Sequence, residues 1–128
     1  MIQIIRVADL HEKDDLRGRA VLHELQKKKI KKVRTARVYF LEGVTLKDTK
    51  ILSEKLFAEN LTQIFTINSE IIKGFSQALY ISYKPGVMNP EVASIMKASL
   101  DLGIKIITAD SATQYHFFGK VKKDEIHI

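Results

Sequence analysis

The sequence has no cysteine, only two prolines and six scattered glycines among its 128 residues. Without cysteine the chain can form no disulfide, no thiolate metal site and no cysteine nucleophile. The scattered glycines exclude a phosphate-binding loop and a dinucleotide fingerprint. No apolar run approaches the roughly 20 residues that a membrane-spanning helix needs. With 45% apolar residues, the composition is that of a globular protein, and we expect it in the cytoplasm.

Catalytic motifs are missing as well. The four histidines are His11, His23, His116 and His127. None of them has the spacing of a metal site, and no serine lies in a Gly-x-Ser-x-Gly context. An acidic cluster is formed by Asp9, Glu12, Asp14 and Asp15. These residues could form a cation site, but the favoured interpretation is that they lie at the start of a helix, where negative charge is stabilised by the helix dipole. The sequence predicts no catalytic residue, no cofactor and no metal in this chain.

Positive charge is concentrated in the first part of the chain. Residues 1–76 carry 15 basic and 10 acidic side chains, although the whole chain has a net charge of only +6. The densest run consists of Lys27, Lys28, Lys29, Lys31, Lys32, Arg34 and Arg37. Solvated lysines that follow a helix C-terminus are the favoured interpretation, and a single-strand RNA surface is the alternative. No RNA-recognition motif accompanies the charge, so nucleic acid is not an expected partner.

Hydrophobic periodicity predicts alternating strands and helices. Strands are predicted over 2–8, 33–41, 63–67, 78–84, 104–109 and 113–119. The first helix is expected to start near Asp14, to run to about Lys28 and to bury a stripe made of Leu16, Ala20, Val21 and Leu25. Thr45 and Asp48 have capping-box spacing before a second helix, which would bury Leu52, Leu56 and Phe57. Residues 68–77 are predicted to be a connecting loop.

Both prolines lie in "YKPGVMNPEVASIMKASLDLGIK", residues 83–105. Pro85 and Gly86 suit the centre of a type II turn. Asn89 is expected to cap a helix whose first residue is Pro90, and Gly103 fits the left-handed position beyond its end. The spacing predicts a buried helical face made of Val92, Ile95, Met96, Ser99 and Leu102. This stretch is therefore predicted to be a strand, a turn, a helix and a strand.

The order strand-helix-strand occurs twice, over 2–41 and 78–110, with little sequence identity. The paired positions are Val7 with Ile81 and Val21 with Ile95 at an offset of 74, then Tyr39 with Tyr115, Gly43 with Gly119 and Asp48 with Asp124 at an offset of 76. In the first unit the glycine leads into a helix. We therefore expect residues 120–128 to begin a further helix in a longer polypeptide, with an ordinary charged tail as the alternative.

The stretch over 83–105 resembles the small PurS-type subunit of phosphoribosylformylglycinamidine (FGAM) synthase. In that family a strand leads through Lys-Pro-Gly, a hydrophobic pair and Asp-Pro into a helix that ends at Leu-Gly. The matching positions are Lys84, Pro85, Gly86, Asn89, Pro90, Leu102 and Gly103, with Asn89 where the family has aspartate. Residues 33–67 look like the N-terminal region of forms in which tandem PurS-like units precede the synthetase subunit. The first unit departs from the motif, because "LHEKDDLRG" (residues 10–18) replaces the Lys-Pro-Gly segment.

The resemblance implies an α+β fold of two PurS-like, ferredoxin-like units with mixed sheets, packed as an internal pseudo-dimer. The first unit and its following helix would span 1–76, and the second 77–119. The implied role is a non-catalytic assembly domain in the ATP- and glutamine-dependent conversion of formylglycinamide ribonucleotide to the amidine, in purine biosynthesis. A synthetase part that binds ATP and Mg²⁺ and a glutaminase part that releases ammonia would be its partners, and homo-oligomers are a further expectation.

Partner contacts are expected at two places. One is the turn made of Lys84, Pro85, Gly86 and Val87; the other is the last strand, through Tyr115, Phe117 and Phe118. The alternative for the turn is that these residues serve only the geometry of the turn. The alternative for the last strand is that its aromatic side chains pack in the core. A ferredoxin-like module that binds an amino acid or a nucleotide is the alternative function. A stand-alone enzyme is disfavoured, because no nucleophile-base pair is visible.

Overall fold

The computed structural model describes residues 2–25, 29–122 and 126. Its strands are β1 (Ile2–Asp9), β2 (Ile30–Glu42), β3 (Gln63–Ile67), β4 (Gln77–Ser82) and β5 (Thr108–Gly119). Its helices are α1 (Leu16–Leu25), α2 (Leu46–Leu52) and α3 (Glu91–Asp101). A 3₁₀ turn over Glu12–Asp14 precedes α1, and a π-helical turn over Ser53–Phe57 continues α2. The five strands form one sheet in the order β3-β1-β2-β5-β4. The chain is an α+β protein, as predicted, and no helix in its described part is long and apolar enough to cross a membrane.

The prediction of mixed sheets is wrong, because all neighbouring strands of this sheet are antiparallel. The reason is that β2 and β5 are longer than their partners. Val7 opposite Arg37 is the last pair between β1 and β2, so the first residues of β2 extend past this pairing, and α1 packs over them before the chain turns back. In the same way Ser82 lies opposite Ala112, and α3 packs against the segment that precedes β5. The helices therefore join antiparallel strands.

Apolar side chains from one face of the sheet pack against the helices. The first cluster includes Ile5, Leu41, Leu52, Ile95, Ile104 and Ile106. The second includes Val21, Ile30, Val33, Tyr115 and Phe117. A third and smaller cluster joins Ala8 and Ala36 to Ile72, in the connection between β3 and β4. The predicted loop over 68–77 is thus packed on the sheet, and it ends at β4, which begins at Gln77.

The buried stripe of α1 differs from the predicted one. Leu16 is 71% exposed and Ala20 is exposed, whereas Gly18 and Val21 are buried. The cause is Asp15, whose buried carboxylate accepts hydrogen bonds from the backbone N–H of Gly18 (2.9 Å) and of Thr35 (2.6 Å). These bonds turn the start of the helix so that Asp15 and Gly18 face the sheet.

The ends of α2 and α3 follow the sequence more closely. The Oγ1 of Thr45 caps α2 by accepting from the Asp48 N–H at 3.1 Å. Gly103 has a φ of +80°, and the Ile104 N–H donates to the Ser99 carbonyl at 3.0 Å, as in a Schellman end. Leu102, predicted to be buried, is 41% exposed.

The strands predicted over 104–109 and 113–119 are replaced by β5 alone, and residues 104–107 precede it without strand pairing. Of the helix expected over 120–128, residues 123–125, 127 and 128 lie outside the described part.

Gly18→Ala should destabilise the fold. Alanine in a helix is normally more favourable than glycine by about 1 kcal/mol. A Cβ on Gly18, however, would overlap the backbone carbonyl of Val33, so α1 would have to move away from β2. We expect a loss of about 2 kcal/mol in the free energy of unfolding, measured by urea denaturation. Ser94→Ala, on the exposed side of α3, is the control and should change stability by less than about 0.5 kcal/mol. An unchanged or more stable Gly18→Ala protein would contradict this packing.

Candidate functional site

The sequence-predicted turn is present and exposed. The Val87 N–H donates to the Lys84 carbonyl at 3.0 Å, and Gly86 has a φ of +84°, as a type II turn requires. Its apolar flanks also face solvent: Tyr83 is 48%, Val87 54% and Met88 87% exposed. We term residues 83–88 the turn surface. Its geometry is the predicted one, and its partner contact remains a prediction.

Asn89 fixes the turn surface to the rest of the fold. Its buried side chain donates through Nδ2 to Asp110 Oδ1 (3.0 Å) and Ser111 Oγ (2.8 Å), and its Oδ1 accepts from the Glu91 N–H (2.9 Å). It thus caps α3, as expected, although the regular helix begins at Glu91 and not at Pro90. The bonds to β5 have no signal in the local sequence, because these partners are 21 and 22 residues away.

The aromatic residues of the last strand have a different environment from that of the turn. Tyr115 is 9% exposed and Phe117 is fully buried, and both pack with Val21 and Val33 under α1. Tyr115 and Phe117 therefore pack in the core, which was the alternative to a partner contact for these two side chains. Phe118 lies half-buried on the opposite face of the sheet, with the Nζ of Lys32 4.3 Å from its ring centroid.

The basic run does not form one exposed surface. Lys27 and Lys28 lie outside the described residues. Arg34 donates to Asp15 at 3.1 Å, with only 12% of its side chain exposed, and Arg37 is paired with Glu91. Two of the run's cations are therefore held by carboxylates within the fold, which weakens the alternative of an RNA surface.

The acidic cluster gives no support to a cation site. Both carboxylate oxygens of Asp15 accept hydrogen bonds from the neighbouring strand, from the Thr35 hydroxyl and backbone and from Arg34. Across the described part of the chain, no group of three or more histidine, aspartate or glutamate side chains could hold a metal ion.

A polar network covers the other face of the sheet, and no local pattern of residues predicts it. Arg6 donates to Gln114 Oε1 (3.1 Å), the Tyr80 hydroxyl (2.8 Å) and the Ser69 carbonyl (3.0 Å). Glu70 lies 3.6 Å from the same guanidinium. Because these groups belong to β1, β4, β5 and the connection over 68–76, Arg6 holds that connection on the sheet.

His116 is buried beside this network. Its Nδ1 lies 3.2 Å from the Arg34 carbonyl, which makes Nδ1–H the donor in the neutral ring. Within the described residues its Nε2 has no hydrogen-bond partner, and Glu70 Oε2 is 3.9 Å away. Burial lowers the pKa of His116, opposed by the Arg34 hydrogen bond and Glu70 and assisted by the positive charges of Arg6 and Arg34.

Comparison with known proteins assigns no family to this geometry: neither a scan against protein-family models nor a search of curated proteins finds a match. The basis for a function is thus the sequence resemblance together with the fold and the turn surface.

The buried imidazole should make the protein less stable in weak acid. An unfolded histidine takes up its proton near pH 6.5, but His116 in the fold does so only at lower pH because its pKa is lowered. Between pH 7 and 5 the unfolded state therefore binds more protons, and the free energy of unfolding falls as the pH falls, by at most about 1.4 kcal/mol per pH unit for this group.

Urea denaturation across this pH range checks the prediction. His116→Gln, which stays neutral, should flatten the pH dependence, and His23→Gln, at an exposed position, should retain it. An unaltered slope in His116→Gln would show that other groups cause the acid sensitivity.

Proposed function

We propose that this chain is a PurS-type, non-catalytic assembly domain of a cytoplasmic FGAM synthase. It would bridge the synthetase part, which binds ATP and Mg²⁺, and the glutaminase part. The observation that carries the proposal, beyond the sequence resemblance, is the way in which the two strand-helix-strand segments meet in the sheet.

The pairing of the central strands agrees with the repeat in the sequence. The offset of 76 residues that pairs Tyr39 with Tyr115 also pairs Arg37 with Thr113, and these two residues face one another in the β2–β5 ladder. A twofold axis between them would exchange β2 and β5. This agreement supports an internal pseudo-dimer.

The outer strands fit the same axis. Val7 lies opposite Arg37 on β1, and Ile81 lies opposite Thr113 on β4. These two apolar residues are the ones that the sequence pairs at an offset of 74. The halves would be β1-α1-β2 and β4-α3-β5, and each would cover an edge strand of the other, as two subunits of a symmetric dimer do.

The turn surface supplies the proposed contact with the synthetase part. Tyrosine and methionine are enriched in protein interfaces, and here Tyr83 and Met88 extend into solvent beside a turn that Asn89 anchors. A fixed turn loses little conformational freedom when it binds. The exposed apolar side chains would then form the centre of the contact.

Met88→Asp should weaken binding to the synthetase part at least tenfold, about 1.4 kcal/mol, because a charge would enter an apolar contact. Binding is measured by titrating the purified chain with the synthetase and glutaminase parts of the same source, singly and together. Leu61→Asp is the matched control, because Leu61 (86% exposed) is as exposed as Met88 (87% exposed). Leu61 precedes β3, which lies at the opposite edge of the sheet from β4.

Three outcomes bear on the proposal. Weaker binding by Met88→Asp alone supports it. Equal weakening by both variants would remove the turn surface from the contact. The absence of binding between the wild-type chain and either part would overturn the assembly role and favour a ligand-binding module.

A further inference from the structure

A polar cleft lies where α1 and α3 begin, over the centre of the sheet. Arg17, in the first turn of α1, and Arg37, on β2, both reach the hydroxyl of Thr113 on β5. Glu91, the first residue of α3, is paired with Arg37. None of these side chains is needed for the proposed partner contact of the turn surface.

The two guanidinium groups converge on a single neutral acceptor. Arg17 Nη1 is 2.9 Å and Arg37 Nη1 is 2.6 Å from Thr113 Oγ1, so the two nitrogens lie no farther apart than the sum of those distances. Like charges this close repel one another. Arg17 makes no ion pair with any residue in the described part of the chain, so one positive charge in the cleft has no carboxylate of its own.

The nearby carboxylates do not fill this role. Asp15 is occupied by Arg34, Thr35 and the N-terminal turn of α1. Asp9 and Asp14 line the same cavity as Arg17, and no ion pair joins either to Arg17 among the residues described.

Within the described part of the chain, Glu91 is the one carboxylate that is paired with either arginine, and it can be displaced. Its side chain is 41% exposed and that of Arg37 is 31% exposed, so solvent reaches their ion pair. An exposed ion pair contributes little stability. An external oxyanion can therefore replace Glu91 on Arg37 without opening the fold.

Arg37 lines two cavities that have space for a small ligand. One cavity, of about 250 Å³, is lined by Arg17, Arg37, Thr35 and Thr113 and also by the carboxylates of Asp9, Asp14 and Asp15. The other, of about 210 Å³, is lined by Arg37, Ile81, Ser82, Tyr83, Ser111 and Ala112, without a carboxylate. Each is smaller than the sites of drug-sized ligands, so the cleft suits a small anionic group.

We propose that this cleft binds a small oxyanion, a carboxylate or phosphate group, through Arg17 and Arg37, and that Glu91 occupies Arg37 when the ligand is absent. Guanidinium groups donate to such oxygens in pairs, and the hydroxyls of Thr113 and Ser111 add further donors. The first turns of two helices bring additional positive potential.

Calorimetric titration of the full chain with inorganic phosphate and, separately, with succinate at constant ionic strength tests the proposal and distinguishes the two oxyanions. Wild type should bind at least one of them saturably in the millimolar range. Arg17→Gln should weaken binding at least about fivefold, and Glu91→Gln should strengthen it about threefold or more, because the internal competitor loses its charge. A purely structural ion pair predicts no gain from Glu91→Gln.

Arg19→Gln is the matched control, since Arg19 is an exposed arginine of the same helix whose guanidinium, among the residues described, bonds to the Lys13 carbonyl alone. It should bind as wild type does. Circular dichroism checks that each variant is folded. Absence of saturable binding to both probes, equal weakening by Arg17→Gln and Arg19→Gln, or no gain in Glu91→Gln would each overturn the site.

Discussion

The antiparallel pairing of β2 with β5 is the constraint on which the rest of the fold depends. It runs from Ile30 opposite Gly119 to Glu42 opposite Thr108, and both strands extend well past their outer neighbours. An apolar face that extends past a paired strand must be covered, so α1 packs on the start of β2 and α3 packs on the apolar segment that precedes β5. Both helices consequently start near the middle of the sheet and run outward. The central ladder thereby decides where the two helix starts meet, and with them the polar side chains of their first turns.

A single buried carboxylate fixes the register between α1 and this ladder. Asp15 accepts from the backbone of Gly18 in the helix, from Thr35 on β2 and from Arg34. A buried charge is tolerated only when it is paired and hydrogen-bonded, so the helix start, the strand and the guanidinium are held in one arrangement. Gly18 can then lie directly against the Val33 carbonyl, a distance that no side chain would allow. One exposed leucine, Leu16, is the cost of this orientation.

Local patterns predicted the elements well, and long-range geometry explains the rest. The turn at Pro85-Gly86 and the helix end at Gly103 follow from backbone preferences of the residues themselves. The orientation of α1 does not, because it depends on bonds from Asp15 to a strand 20 residues away. Hydrophobic periodicity also cannot predict the relative direction of the strands, because it shows which face of an element is buried and not which strand it pairs with. The sequence could not show whether Phe117 is buried in the core or contacts a partner, because aromatic residues in a strand are typical of both. The arginine cleft had no sequence signal, since Arg17 and Thr113 are 96 positions apart.

The turn surface and the arginine cleft are adjacent, and this has a physical consequence. Tyr83 belongs to the turn surface and also lines the cavity beside Arg37. Asn89, which anchors the turn, donates to Ser111, another residue of that cavity. A protein seated on the turn would therefore cover one mouth of the cleft, and an anion on Arg37 would lie against the segment that such a protein contacts. Whenever each ligand changes the free energy of the other's site, the effect is reciprocal. Binding at the turn surface and binding in the arginine cleft would then be coupled through Tyr83 and Asn89.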